Sequence, residues 1–88
     1  MKIKADYMLR SVAGQNVVVP IGSAALDFNG MINLNESGAF LWRAMAEDVT
    51  EQALVDALLA EYDVNPEVAK ADVGAFIKKM REANLIQE

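Results

Sequence analysis

The chain contains no cysteine and no histidine. Without cysteine there is no disulfide, no thiolate nucleophile and no thiolate metal site. Without histidine the commonest acid–base group near neutral pH and the commonest transition-metal ligand are missing. Nucleophilic triads, zinc sites and catalytic thiols are thereby excluded in their usual forms. Carboxylate-only chemistry and Mg²⁺ or Ca²⁺ ligation survive that exclusion in principle. The carboxylates, however, are scattered over expected helix surfaces, where solvated charge belongs. The expectation is no enzyme, no cofactor and no resident metal.

Long apolar runs are missing too. The most apolar stretch, Val17-Val18-Val19-Pro20-Ile21, is far too short to span a bilayer and contains a proline. Met1-Lys2-Ile3-Lys4-Ala5-Asp6 carries no run of the secretory kind. A cytoplasmic address with no membrane partner is the expectation. Basic runs are equally scarce: eight Lys and Arg face thirteen Asp and Glu, and the longest run is Lys78-Lys79. Nucleic-acid affinity rests mainly on neutralising phosphates, so this balance argues against a DNA or RNA partner.

What remains is an ordinary globular composition. With 53% hydrophobic and 24% charged residues, the 88-residue chain reads as one domain, residues 1–88, with a single modest core. The net charge of −5 is unevenly placed. Residues 1–34 balance to +1, residues 35–67 to −7 with Arg43 as their only cation, and residues 68–88 to +1. The acid therefore sits on the middle of the chain as a solvated face that favours solubility.

Periodicity divides the chain in two. Tyr7, Leu9 and Ser11 alternate with Met8, Arg10 and Val12. A turn at Ala13-Gly14-Gln15-Asn16 then leads into a β-branched strand from Val17 to Ile21, giving a hairpin. Pro20 cannot donate to a ladder, so its N–H side belongs at an edge or a bulge. A third strand is expected over about Asp27 to Leu34, with Gly30 as a bulge.

From Asn35 the period changes from 2 to 3.6, and Gly38, Leu41, Trp42 and Met45 recur at helical spacing. Asn35 is placed to cap this helix, expected over Glu36 to Glu47. Thr50 caps a second helix over Glu51 to Tyr62. Asn65-Pro66 opens a third, with Pro66 at the first helical position and Glu67 at the positive end of the dipole. Ala69, Val73, Phe76, Ile77 and Met80 form its apolar stripe. Asn84 is suited to the left-handed turn that ends the helix and folds Leu85 and Ile86 back onto the core.

The expected fold is α+β: a small winged-helix-like domain of three antiparallel strands followed by three helices. Leu34, Leu41, Trp42, Leu54, Leu58, Val73, Phe76 and Leu85 are expected in one core. Three strands cannot cover both faces of their own sheet, so helices cover one face and a strand edge stays open. That edge also permits a homodimer.

In this order and spacing the residues resemble the PqqD family, named for a small accessory protein of coenzyme PQQ (pyrroloquinoline quinone) biosynthesis. The resemblance rests on Asn33-Leu34-Asn35-Glu36-Ser37-Gly38-Ala39-Phe40-Leu41-Trp42, then Thr50 with Leu54 to Val64, then Asp72-Val73, Phe76-Ile77 and Asn84-Leu85-Ile86. It covers about residues 5 to 86. The closing turn of the family usually reads Gly-Leu-Ile; asparagine here tolerates the same backbone.

The resemblance implies a recognition element for ribosomally made precursor peptides. Such a protein binds the leader segment as an added strand and presents it to a modifying enzyme, commonly a radical-SAM protein. Peptide contacts are then expected at Met31, Ile32, Asn33 and Leu34 on the strand, and at Lys70, Val73, Gly74, Ile77 and Arg81 on the third helix. Gly74 in mid-helix marks either close packing or room for the bound strand. Lys70 and Arg81 are either solvated or meet acids of the leader. The alternatives are a winged-helix DNA-binding protein, which the charge disfavours, and a general protein-interaction domain on the same fold.

Overall fold

The computed structural model describes residues 1–22 and 32–88. β1 (Lys2–Ile3), β2 (Tyr7–Val12), β3 (Gln15–Pro20) and β4 (Ile32–Leu34) precede α1 (Glu36–Ala44), α2 (Glu51–Glu61) and α3 (Pro66–Glu82), and β5 (Ile86–Gln87) closes the chain. β2, β3 and β4 form an antiparallel sheet in that order, and β1 pairs with β5 in a second, two-stranded one. The expected three strands and three helices are all present. Met31 and the bulge expected at Gly30 lie outside the described residues.

The hairpin is tighter than its sequence implied. Ala13 and Gly14 have φ of 52° and 79°, the left-handed pair of a two-residue type I′ turn, whose twist matches that of the strands. β3 therefore restarts at Gln15, opposite Val12, rather than at Val17. Pairing then alternates along the ladder. Val12 and Gln15, flanking a two-residue turn, exchange both hydrogen bonds, so Arg10–Val17 and Met8–Val19 do the same. Pro20 stands opposite Tyr7 in the intervening, non-bonded class, so β2 asks no N–H of it.

The same alternation fixes β4. Asn16 and Val18 aim their main-chain groups away from β2, toward their partners Leu34 and Ile32. Asn33, opposite Val17, consequently turns its N–H and C=O outward, to the edge that no described strand occupies.

Each helix starts on the residue its sequence suggested. Asn35 Oδ1 accepts from the Gly38 N–H at 2.8 Å, Thr50 Oγ1 from Ala53 N–H at 3.1 Å, and Asn65 Oδ1 from Glu67 N–H at 2.8 Å. α1 ends at Ala44, three residues short of the expected Glu47. α3 closes in a Schellman arrangement: Asn84 has φ of 61°, its N–H reaches Arg81 O, and the Leu85 N–H reaches Met80 O, each at 2.9 Å. The returning Leu85 carbonyl accepts from the Lys4 N–H at 2.9 Å, and Ile86 pairs with Ile3. The amino terminus pairs with Asp48, whose carboxyl is held below the ordinary carboxylate range by that hydrogen bond and the ammonium charge.

All eight expected core residues are buried, together with Val18, Met45, Met80 and Ile86 among others. Phe40 is half-buried and meets Tyr62 edge-to-face, ring centroids 5.7 Å apart. No described polar side chain is buried without a hydrogen-bond partner.

Candidate functional site

A cleft of about 430 Å³ runs beside the open edge of β4. Asn33 and Leu34 supply the strand side of it. The joint into α1 supplies one end, through Asn35, Ser37, Gly38 and Leu41. α3 supplies the far wall with Asp72, Ala75, Phe76 and Lys79, at i, i+3, i+4 and i+7 along one helical face.

The joint is close-packed. A Cβ added at Gly38 would lie 3.3 Å from Leu34 Cβ and 3.1 Å from the capping Asn35 Oδ1. Glycine there lets the first turn of α1 sit directly on the end of β4. The floor is apolar, since Leu34, Leu41 and Phe76 all belong to the core and show only an edge. The rim carries one charge of each sign, Asp72 and Lys79, both exposed. Lys79 Nζ donates to the Asn33 carbonyl at 3.2 Å, across the cleft. This bond is independent support for the outward direction of that carbonyl.

The site residues expected from sequence divide sharply. Asn33 and Leu34 line the cleft, and Ile32 is half-buried on the same strand. None of the five positions expected on the third helix lines it. Val73 and Ile77 are core residues, 0% and 2% exposed. Lys70 is exposed elsewhere, Gly74 has no heavy atom within 4 Å of a built Cβ, and Arg81 pairs with Glu88.

The reason is angular. The apolar stripe of α3 has two flanks, one holding Lys70, Gly74 and Arg81, the other Asp72, Ala75 and Lys79. At 100° per residue the two flanks are equally regular in the sequence. Only the packing of α3 against β4 and α1 decides which flank meets the strand edge. Phe76 was the one available signal, because it lies on the Asp72 side of the stripe.

A second cleft, about 500 Å³, lies between β2 and the C-terminal half of α1. Ile3, Leu9 and Trp42 line its apolar part, and Lys4, Arg10 and Arg43 are the charged residues around it.

The fold and the open edge thus define a winged-helix-like α+β domain built around an accessible strand. A family model described as coenzyme PQQ synthesis protein D (PqqD) matches residues 15–86. The chain belongs to the PqqD family. No curated protein matches it closely enough in sequence to be compared. Two solved structures share its fold. One, TbiB1 in complex with the TbiA(beta) leader peptide, has a TM-score of 0.75 at 21% identity, covering 99% of this chain and 95% of that one. The other, lasso peptide synthetase B1 complexed with the leader peptide, has a TM-score of 0.73 at 15% identity, covering 99% and 96%.

Proposed function

We propose that this protein binds the leader segment of a ribosomally synthesised precursor peptide as an added strand on β4 and presents it to a modifying enzyme. The observation that carries the reading is the outward main chain of Asn33, set beside an apolar cleft walled by α3. Strand addition needs just this: free N–H and C=O groups for affinity, and a pocket beside them for choice. Family membership supports it, as do two folds of the same kind seen with leader peptides.

In this reading the peptide contacts are Ile32, Asn33 and Leu34 on the strand, with Met31 beyond the described residues. On α3 they are Asp72, Ala75, Phe76 and Lys79. An apolar leader side chain sits over Phe76 and Leu41. The N–H of the incoming strand takes over the Asn33 carbonyl, which releases the Lys79 ammonium for a carboxylate of the leader. Recognition and presentation need no catalytic group, and we assign none. Among the described residues no helix is long and apolar enough to cross a membrane, and we place the protein in the cytoplasm, where precursor peptides are made. A radical-SAM protein is the proposed class of modifying enzyme. A homodimer through the β4 edge would compete with the leader.

The test is an amide-resolved NMR titration with the leader of the precursor encoded beside the gene. Shifts should concentrate at Asn33, Ser37, Gly38, Ala75 and Lys79 and leave Lys70 and Gly74 in place. Perturbations confined to α2 would put the site elsewhere and end this reading.

A further inference from the structure

We propose that the second cleft docks an extended, acidic segment of a partner protein, added as a strand to the outer edge of β2. Three observations meet there. First, among the described strands β2 is an edge strand of six residues, twice the described length of β4. By the alternation of its ladder with β3, Leu9 and Ser11 turn their N–H and C=O groups outward. Second, the cleft beside that edge has an apolar part at Ile3, Leu9 and Trp42, able to receive alternate side chains of an added strand.

Third, the charge is one-sided. Lys4, Arg10 and Arg43 line the cleft and, among the described residues, no carboxylate does, in a chain of net charge −5. Arg43 is the only cation between residues 35 and 67, and it faces this cleft. Among the described residues neither Arg10 nor Arg43 has a carboxylate partner, while Lys4 Nζ is hydrogen-bonded to Asn84 Oδ1 at 3.1 Å. Complementarity therefore selects an acidic occupant.

The described strands of a second copy do not supply it. None of the described strands contains an Asp or Glu, and the acids among the described residues lie outside them. The occupant is a strand of another protein. If the function proposed above holds, the modifying enzyme is the protein placed to provide it, engaging β2 while the leader occupies β4. That identity rests on the leader reading; the site does not.

The probe is the acetylated, amidated hexapeptide Glu-Val-Glu-Leu-Glu-Val, added to the full chain at low salt. Trp42 is the only tryptophan, so its fluorescence reports the cleft directly, and amide shifts report the edge. Saturable change at Trp42 with shifts at Leu9, Arg10, Ser11 and Arg43 is expected. The Arg10→Glu/Arg43→Glu variant should bind at least about tenfold more weakly, as should the wild type in roughly 0.5 M salt. The same peptide with lysine for glutamate should not bind. Both arginines are exposed, and Arg10→Gln/Arg43→Gln gives a milder variant whose loss should be intermediate. No saturable change at millimolar peptide overturns the proposal, as do shifts at Asn33 and Lys79 instead, or equal affinity in the charge-reversed variant. A leader that still binds at β4 in that variant shows that the leader reading stands whatever happens at β2.

Discussion

Among the described strands the sheet has two edges, each with a helix beside it, and they differ in length, charge and the wall beside them. The β2 edge is long, offers several outward main-chain groups, and borders a cleft whose charged residues, among those described, are all cations. The β4 edge has three described residues, one of them with main-chain groups turned outward, and borders a cleft with one charge of each sign over a floor of Leu34, Leu41 and Phe76. Length alone would favour β2. What distinguishes β4 is the wall: α3 runs beside it and Lys79 already occupies the carbonyl an incoming strand needs. A mixed-charge cleft over core side chains suits selection by an apolar anchor. A cationic cleft on a long edge suits a partner recognised by charge. Under the two proposals, choice belongs to β4 and docking to β2.

The largest effect tests the floor of the β2 cleft. Trp42 is 7% exposed and packs in the shared core. Trp42→Ala should cost about 3–5 kcal/mol of stability, measured by urea denaturation, because the vacated volume cannot be refilled by neighbours already close-packed. A loss under about 1 kcal/mol would mean the tryptophan is a surface group of the cleft rather than a member of the core.

Next comes a plug. Ala75 is exposed and lines the β4 cleft. Ala75→Trp should reduce leader affinity about 100-fold, equivalent to about 2.7 kcal/mol, by isothermal titration calorimetry. Its stability should change by no more than about 0.7 kcal/mol, the helix-propensity difference. Binding of the acidic peptide at β2 should be unaffected. If both ligands are lost together, the two clefts are not separate sites.

A matched pair of prolines separates the edges through the main chain. Asn33→Pro deletes the outward N–H of β4 and leaves the β3–β4 ladder intact, because that group takes no part in it. About a tenfold loss of leader affinity is expected, near the net worth of one hydrogen bond plus the ring's obstruction. Ser11→Pro does the same to β2 and should spare the leader while weakening the acidic peptide. Circular dichroism on each variant checks that the strands persist. Equal effects of Asn33→Pro on both ligands would contradict the assignment.

The sequence carried the fold far better than the cleft. Caps at Asn35, Thr50 and Asn65, the proline after the last of them and the left-handed Asn84 are local chemistry, written in adjacent residues, and they place the helix starts and the closing turn. The core is a matter of period, so its eight expected members are all buried. The β1–β5 pair was not legible, because two residues have no period; it exists because the Schellman turn returns Leu85 to Lys4. The wall of the cleft was not legible either. Which flank of α3 meets β4 depends on the rotation of one element against another, and Lys70, Gly74 and Arg81 make as regular a flank as Asp72, Ala75 and Lys79.

The smallest effect settles that choice of flank. Gly74 and Ala75 are neighbours in α3, 100° apart around the helix, so a bulky group at each probes opposite sides of the stripe. Gly74 borders no wall: a Cβ there meets nothing within 4 Å. If the leader lies along the Asp72 flank, Gly74→Leu leaves its affinity within about twofold, an effect below roughly 0.4 kcal/mol. The variant should also be more stable by about 0.5–1 kcal/mol, since a glycine in a helix interior is replaced by a good helix former. The pair is read together, affinity by calorimetry and stability by urea midpoint. A stabilised Gly74→Leu protein that has lost the leader would move the peptide to the Lys70 flank.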